Sequence, residues 1–139
     1  MHNITLITLG VENVQTSKHF YQNAFGWVIP DDANEDVVFF QLPGVVVGLY
    51  GRTNLADDIG IPSAGDGFRG ATLAMNKRSE EEVDALIEHA LTRGATLLKP
   101  AQKVFWGGYS GYIQDLDGHI IEIAYNPFWA FDEDGILKL

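Results

Sequence analysis

The stretch Phe105 to Tyr125, FWGGYSGYIQDLDGHIIEIAY, gathers side chains of this chain that can do chemistry. Glu122 stands in an apolar run there, where a carboxylate can hold a cation, accept a proton or ligate a metal. Trp106 and Tyr109 flank Gly107-Gly108, a break at which backbone can approach a ligand closely or a strand can bulge. A metal would ask for company, because a catalytic divalent ion usually takes three or more protein ligands and leaves a position open for substrate. The chain has four histidines and no cysteine, so thiolate sites and thiol nucleophiles are excluded. His19 and His89 fall on helical stretches away from the apolar stripes and are expected on the surface. His119 alternates away from Glu122, and His2 precedes the first strand. No second titratable group is evident to complete an acid–base pair with Glu122.

The elements that position these residues follow from periodicity. Asp117-Gly118, flanked by β-branched and aromatic residues, predicts a hairpin with Glu122 on its second strand. The order around it occurs twice. Ile4 to Val11 alternates as a half-buried strand. A helix capped by Asn13 follows, with Val14, Ser17, Tyr21 and Ala24 at helical spacing and Gly26 as its stop. Trp27-Val28-Ile29 resumes extended structure, and VVFFQL and VVVGLY form a hairpin across Pro43-Gly44. In the second half Gly70 to Met75 is a strand, and Ser79 with Glu82 makes a capping box. Val83, Leu86, Ile87, Ala90 and Leu91 give the apolar stripe, Gly94 stops the helix, and Thr96-Leu97-Leu98 starts the next strand. Gly26 and Gly94 lie 68 residues apart and Gly44 and Gly118 lie 74 apart, so the halves register with modest insertions.

The expected fold is therefore α+β: two paired βαβββ modules forming a curved mixed sheet around a cleft, with the helices on its outer face. Module one spans 1–50, a Gly- and Asp-rich linker 51–67, module two 68–127 and a tail 128–139. An ordinary α+β sandwich without a cavity is the alternative. The formal net charge of −10 argues against nucleic acid and anionic membrane as partners, since little is basic enough to neutralise phosphates. The opening MHNITL lacks the basic and apolar regions of a signal peptide, and a cytoplasmic location is expected.

With these residues in hand, the chain resembles the vicinal oxygen chelate superfamily of glyoxalase I, extradiol dioxygenases and bleomycin-resistance proteins. The resemblance runs from Ile4 to Pro127 and is carried by LGVENVQTSKHFYQNAFGW and DLDGHIIEIAYNP. The second is similar to the family's D-P-D-G-x-x-x-E hallmark, with Leu116 where proline is usual. In metal-using members the resemblance implies a divalent ion held by His and Glu, one from each of four strands. Those positions fall on Leu6, Gly48, Gly70 and Glu122, and of these Glu122 can ligate. Sliding the register by one offers Ile7, Val47 or Leu49, and Arg69 or Ala71, none of which is a ligand.

Period-two alternation then sorts the cleft-facing set: Leu6 and Thr8, Gly48 and Tyr50, Gly70 and Thr72, and Glu122, joined by Trp106 and Tyr109. Phe39 and Phe105 are weaker candidates. Such a cavity suits a planar or amphipathic small molecule carrying a cation or a hydrogen-bond donor. The expectation is a protein that binds a small organic ligand without the family's divalent metal and without another cofactor, with Glu122 as the candidate catalytic group. The alternative is a metal-dependent lyase, isomerase or dioxygenase that uses Glu122, His2 or His119, and waters. In a third, the cleft is filled by side chains and the modules serve subunit contacts. Phe128, Trp129 and Phe131 in the tail point to a homodimer seam or a cleft mouth.

Overall fold

The computed structural model describes residues 3–139, so His2 lies outside the described residues. The chain divides into two units. The first runs to Asp66 and includes Glu133–Ile136; the second takes Gly67–Asp132 and Leu137–Leu139.

In the first unit, strand β1 (Leu6–Val11) leads into helix α1 (Val14–Phe25), and β2 (Val37–Leu42) and β3 (Val45–Gly51) form the expected hairpin. The strand order is β1-β3-β2, with β1 parallel to β3. Asn13 caps α1 by accepting from the Thr16 N–H at 2.9 Å, and Gly26 ends it in the left-handed conformation at φ 67°. The helix buries Ser17, Phe20, Tyr21 and Ala24. Tyr21 meets Phe40 and stacks on Trp27 with ring centroids 4.8 Å apart, which puts α1 on the face of β2 and β3 that carries Val38, Phe40, Val47 and Leu49. The expected strand at Trp27-Val28-Ile29 is reduced to a single bridge between Val28 and Gln41. Pro30 follows it without an N–H to extend the ladder. A further departure lies in the segment expected as a linker. Arg52–Ile59 forms a third helix, α2, packed on β1 and β3. A Cβ at Gly10 would come 3.3 Å from both Arg52 Cα and Leu55 Cδ2, so α2 covers the Gly10 end of the face opposite α1. The Arg52 guanidinium then holds the following loop by donating to the Ser63 and Gly65 carbonyls.

The second unit has the full βαβββ order: β4 (Leu73–Asn76), α3 (Glu80–Thr92), β5 (Thr96–Lys103), β6 (Tyr109–Gln114) and β7 (Ile120–Tyr125). Its sheet runs β4-β7-β6-β5, the same order as the first unit's with β5 in place of the Val28 bridge. The Ser79 side chain accepts from the Glu82 N–H, and Glu82 Oε2 accepts from the Arg78 N–H, closing the predicted capping box one residue early. α3 packs on β5, β6 and β7 and buries Val83, Ile87 and Ala90 against Ile113, Ile121 and Ile123. β5 is an edge strand whose register shifts on both sides of Lys99, where Pro100 interrupts pairing. After β7, Ala130–Phe131 and Leu137–Lys138 pair as a short antiparallel ribbon, β8 and β9. No helix of the described residues is long and apolar enough to cross a membrane.

The turn of the D-L-D-G motif shows why it begins with aspartate. Asp115 is 3% exposed, and its Oδ1 accepts from the N–H groups of Asp117 and His119 at 2.9 and 2.8 Å. This bonding closes the β6–β7 turn and so fixes which residues face each other along the hairpin. Asp115→Ala leaves two N–H donors without their acceptor and is expected to cost about 1–3 kcal/mol, whereas Asp115→Asn keeps an oxygen in place and costs less. Urea denaturation of both variants measures the difference.

Candidate functional site

The hairpin register decides what accompanies Glu122. On β6 its direct cross-strand partner is Tyr112, and on β4 it is Ala74. Tyr112 pairs in turn with Lys99 on β5. Directly paired residues project from the same face of a sheet, so Ala74, Glu122, Tyr112 and Lys99 form one row across four strands. α3 packs on the opposite face: a Cβ at Gly111, next to Tyr112, would lie 2.9 Å from Ile87 Cδ1. Glu122 and Tyr112 thus stand on the helix-free face, both half-buried, and the Tyr112 hydroxyl donates to Glu122 Oε2 at 3.3 Å. Burial pushes the Tyr112 phenol above its ordinary value, and the Glu122 charge and hydrogen bond push it the same way.

Several expected site residues are placed elsewhere. Tyr109 has the opposite parity to Tyr112 and lies on the α3 face. Its hydroxyl donates to Asp84 Oδ1 at 2.7 Å, a bond to α3 that raises its phenol, with burial and nearby acids adding to the effect. It therefore does not share a face with Glu122. Gly70 and Thr72 precede β4, which begins at Leu73, so neither lies in the strand beside Glu122. Ala74 takes the place expected of Gly70. Trp106 sits half-buried in the β5–β6 turn and folds back over Gly108, where a Cβ would come 1.7 Å from Cζ3 of the indole. The weaker candidate Phe105, beside it, is fully exposed.

In the first unit the expected set does come together. Leu6, Thr8, Gly48, Tyr50 and Phe39 share the face opposite α1, with Thr8, Gly48 and Phe39 in one row. Gly48 carries no side chain where a Cβ would stand 3.2 Å from Phe39 Cε1 and 3.3 Å from Leu6 Cδ1, so the ring and the leucine close over it. This surface is apolar and aromatic, with Phe39 43% and Leu6 41% exposed, and α2 bounds it at the Gly10 end.

Tyr112 is the residue that reasoning from sequence missed. Its signal was present in the turn: closing Asp115 onto His119 places residues equally distant from that turn opposite one another, and Tyr112 then faces Glu122. Within each unit, few side chains of this surface could hold a divalent ion. The Thr8–Gly48–Phe39 row of the first unit offers one hydroxyl, and the Ala74–Glu122–Tyr112 row of the second offers a carboxylate and a phenol. Among the described residues no three of His, Cys, Asp or Glu lie together as a possible metal-binding group. His119 sits in the β6–β7 turn, and His19 and His89 are exposed on α1 and α3.

Comparison with known proteins agrees with this architecture. A glyoxalase-related enzyme from Fulvimarina pelagi is 36% identical, superposes with a TM-score of 0.91, and the match covers 100% of this chain and 99% of that one. A glyoxalase/bleomycin resistance protein/dioxygenase family enzyme from Burkholderia phytofirmans PsJN reaches a TM-score of 0.81 at 17% identity, covering 88% and 98% of the two chains. A lactoylglutathione lyase from Agrobacterium tumefaciens reaches 0.69 at 20% identity, covering 94% and 98%. The last two identities are low enough that the likeness speaks for the fold alone. Among curated proteins none matches. The family model for the Glyoxalase/Bleomycin resistance protein/Dioxygenase superfamily matches residues 3–123, and with that span and the duplicated strand order the chain belongs to this superfamily.

Proposed function

We propose that the protein binds a small organic molecule on the helix-free face of its second unit's sheet, with Glu122 as its polar anchor and without the divalent metal site of its metal-using relatives. The observation that carries this is the row through Glu122, in which a carboxylate and a phenol stand between a bare alanine and a lysine. A carboxylate flanked by aromatic surface favours a planar cation or an N–H donor. On the first unit, Leu6, Thr8, Phe39, Gly48 and Tyr50 form a separate apolar surface of the kind that takes small organic molecules. If the bound molecule is a substrate, Glu122 is the group to accept its proton.

Benzamidinium, a planar cation, is a suitable probe in ¹H–¹⁵N NMR titrations. Wild-type protein is expected to show shifts at Ala74, Tyr112 and Glu122, and Glu122→Gln is expected to weaken binding roughly tenfold through loss of the charge-assisted contact. Equal affinity in the two proteins rejects Glu122 as the anchor. Elemental analysis of protein purified without added metal is expected to find well below one divalent ion per chain; one tightly held ion rejects the metal-free part.

A homodimer belongs to the same proposal. Phe128 and Trp129 are 76% and 45% exposed in the single chain, a cost that a twofold interface would remove. Light scattering at micromolar concentration is expected to give twice the chain mass, and a monomeric mass counts against it.

A further inference from the structure

We propose that Tyr112 is a positioning residue for Glu122: its hydroxyl holds Oε2, so that a ligand meets the remaining oxygen, Oε1, over Ala74. This goes further than the ligand-binding proposal above and rests on it. The two side chains are direct partners on adjacent antiparallel strands, and their contact is a 3.3 Å hydrogen bond between half-buried groups. On the other flank Ala74 is exposed and offers a methyl group, so the carboxylate is walled on the Tyr112 side and open on the β4 side. At 3.3 Å the bond is longer than the usual O–H···O distance of about 2.7 Å, so it steers the carboxylate without neutralising it. A glutamate on a sheet face otherwise samples several rotamers, and binding must freeze them. Holding one oxygen in advance lowers that entropic cost.

The test combines ligand-free and ligand-bound measurements on Tyr112→Phe, Glu122→Gln and the double variant. With ¹³Cζ-labelled tyrosine, the Tyr112 phenol is expected to titrate at lower pH in Glu122→Gln than in wild type. Its shift toward the ordinary value is partial, because burial remains, while Tyr109 keeps its midpoint because its partner is Asp84. An unmoved Tyr112 overturns the proposal. With benzamidinium, Tyr112→Phe is expected to weaken binding about threefold to tenfold, and adding it to Glu122→Gln is expected to cost less than a further twofold, since nothing is left to position. Independent, multiplying losses overturn the proposal, because Tyr112 would then act on the ligand by itself. If wild-type protein does not bind benzamidinium, the ligand class proposed above fails, and the phenol titration decides the Tyr112–Glu122 relation without it.

Discussion

Gly111→Val is expected to lower stability by more than about 4 kcal/mol and to abolish ordered chemical shifts from the Tyr112–Glu122 row. Gly111 is buried on β6 where the strand passes beneath α3 and beside the irregular part of β5. Even a single Cβ would stand 2.8 Å from the Ala101 nitrogen, 2.9 Å from the Lys99 carbonyl oxygen and 2.9 Å from Ile87 Cδ1. Two of those three atoms are backbone, so no rotamer change relieves the overlap, and β5 or β6 has to move. Stabilities of natural domains are about 5–15 kcal/mol, so a loss of this size takes a large part of the total. Gly111→Ala should lose less but in the same sense. Guanidinium denaturation with tyrosine and tryptophan fluorescence measures both, and a Gly111→Val protein as stable as wild type would show that β5 does not pass where the structure places it.

Phe40→Ala is expected to cost about 3–5 kcal/mol, and Phe39→Ala on the neighbouring position about 1 kcal/mol or less. Phe40 is fully buried on the α1 face, with its ring 5.5 Å from Trp27 and 5.9 Å from Tyr21 between centroids. Truncation leaves a cavity lined by rings that cannot all collapse into it, and the lost edge-to-face contact adds to the lost transfer energy. Phe39 points to the other face and is 43% exposed, so its removal should touch the apolar surface over Gly48 more than the core. The same denaturation measurement separates the pair. Equal losses at both positions would mean that the alternation along β2 is not as described.

Much of the scaffold was legible in local chemistry. Asn13, Gly26 and Ser79 marked helix ends because unpaired N–H and C=O groups there require a partner or a left-handed residue, whatever the rest of the chain does. The Pro43-Gly44 and Asp117-Gly118 turns were legible for the same reason, as was the duplication of strand, helix and hairpin. Helix α2 was not. Its sequence, RTNLADDI, is mostly polar, with Leu55 half-buried and Ala56 buried, so its stability comes from resting against Gly10 and not from its own pattern. Trp27-Val28-Ile29 reads as extended, yet pairing there stops at one bridge because Pro30 and the acidic loop follow.

The candidate residues of the two units divide in the same way. From the sequence came the presence of Glu122 on a hairpin strand, the loss of side chain at Gly48, and the sharing of one face by Leu6, Thr8, Gly48 and Tyr50. Each is set by period-two alternation, which needs no knowledge of neighbours. Tertiary structure decided that Tyr112 accompanies Glu122, that Tyr109 turns to Asp84 on α3, and that Ala74 stands where Gly70 was expected. Those outcomes depend on which residue lies opposite which. Pairing register is set by turn closure at Asp115 and by the start of β4 at Leu73, and shifting either by one residue sends every side chain to the other face.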